Sequence, residues 1–235
     1  TDVQASDFDA DGDLDLVVAE FGWRSTGHIH YLENKGLHNG IPVFQPRLLD
    51  DRHGCIQLPV VDLDQDGDTD FVAVISQEHE TVIAFLNRGD GTFRQQVIFA
   101  ADNPSFGSSG VDPVDLDQDG DTDLIFTNGD MFDLFYVVPY HAVHWLENRG
   151  TEGWKHHQLL QLPGVHRAEA GDLDGDGDLD LVACTLITDR AMGEMKESHF
   201  DSLVWLEQVK PGEFIRHNLE QDNSTHATQE LADFD

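Results

Sequence analysis

Aspartate recurs at alternate positions in four short stretches of the sequence, each built around a glycine. Every stretch carries aspartate at positions 1, 3, 5, 7 and 9 and glycine at position 6. The stretches begin at Asp7, Asp62, Asp115 and Asp172. Alternate side chains of such a tight loop turn inward together, so each stretch gathers several carboxylates. Hard cations bind carboxylate and carbonyl oxygens, and metal binding is therefore the chemistry that these residues favour.

The spacing predicts one Ca²⁺ in each loop, four in all. Ca²⁺ takes about six to eight oxygens in a flexible shell. Glycine at position 6 permits the sharp turn, position 7 offers its backbone carbonyl, and position 9 closes the shell. The predicted ligands are the side chains at positions 1, 3, 5 and 9 and the carbonyl at position 7. They are Asp7, Asp9, Asp11, Asp13 and Asp15; Asp62, Asp64, Asp66, Asp68 and Asp70; Asp115, Asp117, Asp119, Asp121 and Asp123; and Asp172, Asp174, Asp176, Asp178 and Asp180.

Three other interpretations fit the loops less well. An EF-hand needs glutamate at position 12 and flanking helices, whereas position 12 is Val18, Ala73, Phe126 or Ala183. Mg²⁺ demands a tighter octahedral shell and keeps its waters, so an all-protein cage favours Ca²⁺. Solvated acidic turns without metal would leave four carboxylates repelling one another at short range.

The loops belong to a longer repeat of short strands. Their first aspartates are 55, 53 and 57 residues apart, and Asp233 begins a fifth copy 61 residues further on. An apolar strand follows each loop, and the next strand ends in an aromatic–leucine pair. Glycines mark the turn to a third strand, and a fourth strand leads into the next loop. The apolar strands are Leu16–Ala19, Phe71–Val74, Leu124–Phe126 and Leu181–Ala183; the pairs are Tyr31-Leu32, Phe85-Leu86, Trp145-Leu146 and Trp205-Leu206.

The repeated loop and strands resemble the FG-GAP/VCBS repeats of integrin α-chain propellers and of many secreted bacterial proteins. The resemblance covers the whole chain, and the family's calcium site uses the same five loop positions. It implies an all-β fold, a β-propeller of four-stranded antiparallel blades. Residues 1–235 are then a single propeller segment with four repeats, part of a larger ring that is typically seven-bladed.

The net charge and the expected calcium affinity limit the partners and the cellular location of the protein. A net charge of −33 argues against nucleic acid and anionic membrane surfaces as partners, and an apolar run long enough to span a membrane is absent. With a dissociation constant of about 10⁻⁴ M and about 10⁻³ M Ca²⁺, each site contributes about 1.4 kcal/mol. Such sites stay empty at cytosolic calcium, which predicts an extracellular or periplasmic protein.

Two classes of function fit these features. We favour a non-enzymatic scaffold for adhesion, assembly or partner recognition, with Ca²⁺ as a structural ion. The alternative is the propeller domain of a carbohydrate-active enzyme such as a polysaccharide lyase. Such an enzyme needs a base and cationic groups, and only 13 lysines and arginines stand against 46 acids.

A protein or carbohydrate partner is predicted on the face opposite the calcium loops. Two long apolar loops, Asn128 to His141 and Ile187 to Asp201, lie there; packing against each other is the alternative. Several histidines fall on the same face, so a catalytic or metal-binding cluster is conceivable, although their unequal spacing argues against a shared role. They are His28, His53, His79, His141, His166, His199 and His226. Cys55 and Cys184 are predicted to be small buried residues.

Overall fold

The apolar segment after each aspartate loop forms the second strand of an antiparallel sheet in all four repeats. The computed structural model describes residues 2–22, 26–132, 136–192 and 199–232. These residues form two units, Thr1–Ser105 and Phe106–Asp235. Each unit contains two sheets, and each sheet is a meander in which consecutive strands pair.

The first unit holds sheets I and II. Sheet I consists of β1 (Asp2–Ser6), β2 (Asp15–Ala19), β3 (Ile29–His38) and β4 (Ile41–Asp50). Sheet II consists of β5 (Cys55–Gln57), β6 (Val60–Val61), β7 (Asp70–Ile75), β8 (Thr81–Asn87) and β9 (Phe93–Ala100).

The first strand of sheet II is interrupted at proline. Both β5 and β6 pair with β7, so together they occupy the place that β1 has in sheet I. Pro59 lies between them and has no backbone N–H to donate to the ladder. Its carbonyl still accepts a hydrogen bond from the Val72 N–H at 3.0 Å. Sheet II is thus a four-stranded sheet with a break in one strand.

The second unit holds sheets III and IV. Sheet III consists of β10 (Gly110–Val114), β11 (Asp123–Thr127), β12 (Ala142–Asn148) and β13 (Trp154–Gln161). Sheet IV consists of β14 (Val165–Gly171), β15 (Asp180–Thr185), β16 (Asp201–Lys210) and β17 (Glu213–Gln221). The prediction of an all-β protein with four-stranded antiparallel sheets is confirmed.

Helical structure is slight in the part of the chain that the structure describes. It comprises α1 (Asp189–Met192) and a 3₁₀ turn at Gly150–Glu152. Neither element could cross a membrane. The predicted fifth repeat begins at Asp233, which lies outside the described residues.

Each unit buries one core between its two sheets. In the first unit, the rings of Phe71 and Phe85 stack with centroids 4.5 Å apart, and Phe8 contacts Phe71 edge-on at 6.3 Å. In the second unit, Leu116 packs with aliphatic residues of sheets III and IV. Phe8 and Leu116 both occupy position 2 of an aspartate loop. In these two loops the residue next to the first aspartate therefore fastens the loop to the core of its unit.

Candidate metal centres

Each aspartate loop connects the first and second strands of its sheet through two left-handed residues. The glycine at position 6 has φ between 93° and 100° in the four loops. Position 4 is also left-handed, with φ of 58° at Ala10, 58° at Gln65, 59° at Gln118 and 79° at Gly175. Glycine adopts this conformation freely, whereas other L-residues incur a steric cost. The sequence pattern indicated the first of these positions and missed the second.

Ala10→Gly should raise the free energy of unfolding by about 0.5 kcal/mol. The substitution relieves a left-handed alanine, which costs roughly 1–2 kcal/mol, and part of this gain is lost to the entropy of glycine. Denaturant unfolding of the two proteins measures the difference. The matched control is Gly175→Ala, which should lose stability because an added Cβ there meets no atom within 4 Å and the effect is purely conformational. Equal stability of all three proteins would contradict this explanation.

The aspartate at position 9 is the buried anchor of each loop. Asp15, Asp70, Asp123 and Asp180 are at most 1% exposed. One carboxylate oxygen of Asp70 accepts the Leu63 N–H at 2.9 Å, and the other accepts the Asn87 N–H at 2.7 Å. The same two bonds, from position 2 and from the end of the third strand, recur in the other three sheets. The position-9 carboxylate thus ties the loop to the sheet.

An amide side chain at the end of the third strand makes the same contact in all four sheets, which the loop pattern did not predict. The residues are Asn34, Asn87, Asn148 and Gln208, which follow the aromatic–leucine pairs. Their side-chain amides donate to the carbonyl at loop position 8, over 2.9–3.2 Å. Asn87 and Gln208 also donate to the position-2 carbonyl of the preceding loop in the same unit. The signal in the sequence was the repeated amide after each pair.

Three carboxylates come together in every loop. In the first and third loops the group is positions 1, 3 and 9, and in the second and fourth it is positions 1, 3 and 5. Within each group one oxygen per residue lies within 4.8 Å of the others. The groups are Asp7, Asp9 and Asp15; Asp62, Asp64 and Asp66; Asp115, Asp117 and Asp123; and Asp172, Asp174 and Asp176. Three of the four predicted side-chain ligands are thus assembled in each loop.

Backbone N–H groups hold the carboxylates at positions 1 and 5 of each loop in place. The glycine at position 6 donates to position 1 over 3.0–3.2 Å in all four copies. The N–H of position 7 donates to position 5 over 2.9–3.1 Å. These bonds hold the carboxylates in place and leave lone pairs free, because each carboxylate oxygen has two.

The electrostatics of the loops favour a bound cation. In every loop the pKa of the position-3 carboxyl (Asp9, Asp64, Asp117 and Asp174) is raised, first by desolvation and then by neighbouring carboxylates. Burial also raises the pKa of Asp70 to about 6 and of Asp123 to about 7. In addition, Asp62 Oδ1 is buried and makes no hydrogen bond to the described residues. An oxygen-only donor set that carries excess negative charge fits Ca²⁺.

The two long loops on the opposite side of the sheets are partly packed together. Met131, Ile187 and Ala191 form a buried cluster, against which Val137 and Phe200 pack. The alternative of mutual packing is therefore confirmed for these side chains. By contrast, Phe132 is 61% and Tyr136 59% exposed. Other apolar residues of these loops, Leu134, Phe135 and Met195, lie outside the described residues, as does the side chain of Met192.

The histidines predicted on this face make different local contacts within each unit. His141 is fully buried, its Nδ1 accepts the Gly164 N–H at 3.2 Å, and burial lowers its pKa to about 4. His166 instead contacts the Ala227 carbonyl at 2.8 Å. His53 and His79 lie side by side, with ring centroids 4.9 Å apart.

The predicted burial of the two cysteines is confirmed. Cys55 and Cys184 are free thiols, and neither is exposed to solvent. Burial raises their pKa, to about 12 for Cys55 and about 11 for Cys184. Both thiols are therefore protonated at neutral pH, which makes them poor nucleophiles and poor metal ligands.

Comparison with known proteins gives the family. A comparison with curated proteins found no match. Among solved structures, the V. cholerae biofilm matrix protein Bap1 is similar, with 17% identity and a TM-score of 0.42 over 92% of this chain and 38% of that chain. This likeness is too distant to assign a function. The FG-GAP-like repeat model matches residues 7–73, 62–126 and 127–183, which is more than half of the sequence. The chain belongs to the FG-GAP-like repeat family.

Proposed function

We propose that the chain is a calcium-binding scaffold, in which one Ca²⁺ per aspartate loop stiffens a β-propeller used for adhesion, assembly or partner recognition. The observation that carries this proposal is the fourfold recurrence of one loop geometry. Every loop combines two left-handed residues, a buried position-9 anchor and a cluster of three carboxylates. Such a geometry held by backbone hydrogen bonds supports structural metal binding, because the ligands are placed before the ion arrives.

The ion would act as a clamp within each sheet. The loop joins the first strand to the second, and its position-9 anchor reaches the end of the third strand. A cation that neutralises the carboxylates would remove their mutual repulsion and hold three strands at one end. Because sites of this class saturate only at about millimolar calcium, we place the protein outside the cytosol, in an extracellular or periplasmic setting.

We infer that the four sheets are consecutive blades of a larger propeller. Within each unit, the position-2 residue of one loop is buried in the core shared with the next sheet, as Phe8 and Leu116 are. The corresponding residue of sheet IV, Leu173, is 41% exposed. A fifth blade beginning at Asp233 would supply the surface that covers it.

The partner surface is proposed at the ends of the sheets opposite the calcium loops. Phe132 and Tyr136 are large, exposed and close in sequence, and the buried cluster of Met131 and Ile187 lies in the same loops. Exposed aromatic side chains on a rigid support are typical of contact surfaces for proteins and carbohydrates. The buried residues would then support the loops, while the aromatic residues meet the partner.

Calcium titration of the purified chain by isothermal calorimetry tests the metal assignment. We expect about four ions per chain, one for each loop, with dissociation constants near 10⁻⁴ M. The double variant Asp62→Asn/Asp64→Asn should bind about one ion fewer, because it removes two carboxylates of a single cluster. The other three loops should keep their affinity.

A matched control uses an exposed aspartate outside the loops. Asp90 lies in the turn before β9 and accepts hydrogen bonds from Thr92. Asp90→Asn therefore removes one negative charge, as each substitution of the double variant does, without changing a carboxylate cluster. It should leave the stoichiometry unchanged. A titration without binding heat, or the same stoichiometry in wild type and double variant, would refute the assignment of Ca²⁺ to these loops.

A further inference from the structure

A second kind of metal-ligating cluster lies at the opposite end of sheet II from its aspartate loop. His53 precedes β5, and Glu78 and His79 form the turn between β7 and β8. One ligand atom from each of the three residues lies within 4.8 Å of the other two. His53 Nε2 and Glu78 Oε1 are already 3.4 Å apart. Two ligands on a tetrahedral zinc ion, with bonds of about 2.0–2.1 Å, are separated by about 3.3 Å.

The backbone brings the two halves of this cluster together. The Ser76 N–H donates to the Gly54 carbonyl at 2.9 Å, directly after His53. Gly54 has φ +89°, and a Cβ there would lie 2.7 Å from the Ser76 carbonyl oxygen. A side chain at residue 54 would therefore push the His53 segment away from the turn. Glycine at this position keeps His53 beside Glu78 and His79.

The turn that carries Glu78 and His79 is strained. It contains two non-glycine residues with positive φ, Gln77 at 60° and Glu80 at 44°. Left-handed conformations at such residues cost about 1–2 kcal/mol each and are concentrated at functional sites. The tight turn aims two adjacent side chains, Glu78 and His79, toward His53.

Charge and exposure around the cluster suit a divalent ion. The nearby guanidinium of Arg52 is paired with Asp50 through two hydrogen bonds of 2.9 and 2.6 Å. The carboxylate of Glu78 instead contacts His53. Its side chain is 67% exposed, whereas His53 is buried. The cluster is open to solvent on the side of Glu78 and walled on the side of His53.

We propose that His53, Glu78 and His79 bind a zinc ion, with an open fourth position for water or for a ligand from a partner. Two imidazoles and one carboxylate are a donor set that Zn²⁺ prefers, and Ca²⁺, which seeks oxygen ligands, does not compete for it. The site is chemically distinct from the aspartate loops. It would place a Lewis-acidic ion at the end of sheet II opposite its aspartate loop.

Metal titration in excess calcium tests this site. With millimolar Ca²⁺ occupying the aspartate loops, the full chain should bind one Zn²⁺ in competition with a chromophoric chelator. Co²⁺ in place of Zn²⁺ should give the visible absorption of a tetrahedral nitrogen and oxygen site. His79→Ala and Glu78→Gln should each weaken Zn²⁺ binding at least about tenfold and abolish the Co²⁺ band. Glu78 is exposed, so its variant tests the ligand even if a histidine variant folds poorly.

The control is a histidine that touches a glutamate in another setting. His157 Nε2 lies 2.5 Å from Glu147 Oε2, and its ring stacks on Trp145. His157→Ala should leave Zn²⁺ affinity and the Co²⁺ spectrum unchanged. The proposal is overturned if wild type takes up no Zn²⁺ in excess calcium, or if Glu78→Gln binds it as tightly as wild type. Because the proposed calcium sites use other residues, failure here leaves the calcium assignment intact.

Discussion

Removal of calcium with a chelator should lower the melting temperature of the protein by about 10 °C or more. Each site contributes about 1.4 kcal/mol at tenfold saturation, so four sites amount to roughly 5–6 kcal/mol. For a chain of this size, about 1 kcal/mol corresponds to a shift of roughly 2–4 °C. Thermal unfolding followed by circular dichroism, with calcium and with excess chelator, measures the difference.

A single loop should account for a fraction of this effect. The double variant Asp62→Asn/Asp64→Asn should lose about one quarter of the calcium-dependent shift, since three loops remain. In excess chelator the variant should melt at or above the temperature of wild type, because it has lost two repelling carboxylates. If the melting curve of wild type is the same in calcium and in chelator, while calorimetry still detects binding, the ions are not structural.

The sheets could be predicted because each repeat carries the same local signals. Apolar runs after every aspartate loop gave β2, β7, β11 and β15, and burial of these strands follows directly from their composition. The break between β5 and β6 could be recognised only from the structure. A sequence with Pro59 inside an apolar run is compatible with a continuous edge strand or with an interrupted one, and the pairing with β7 decides.

The metal clusters could be predicted only in part from the sequence. Alternate aspartates indicate which residues converge, but not which three bring their oxygens within 4.8 Å of one another. All four loops share the left-handed position 4 and the hydrogen bonds of position 9, yet positions 1, 3 and 9 group in two loops and positions 1, 3 and 5 in the other two. The cluster of His53 with Glu78 and His79 joins residues from two separate connections. Its geometry follows from the close approach of Gly54 to Ser76, which spacing along the chain does not indicate.

Asp70→Ala should destabilise the unit that contains sheets I and II by about 3 kcal/mol, whether or not calcium is present. The Asp70 carboxylate accepts two backbone N–H groups, from Leu63 and Asn87, and all three residues are less than 6% exposed. Without the carboxylate both N–H groups remain buried and unpaired, at roughly 1–3 kcal/mol each. The cost of burying the Asp70 charge, seen in its raised pKa, offsets part of the loss.

Denaturant unfolding in excess chelator separates this anchoring role from metal binding. In chelator, Asp70→Ala should still lower the free energy of unfolding by most of the roughly 3 kcal/mol. The reason is that the two N–H groups belong to the sheet and not to the ion. The matched control is Asp66→Ala, at position 5 of the same loop, which accepts one exposed bond from the Asp68 N–H at 3.0 Å. It should cost little in chelator and more in calcium. If Asp70→Ala is also harmless in chelator, the carboxylate acts through the ion alone, and the buried anchor does not stabilise the metal-free sheet.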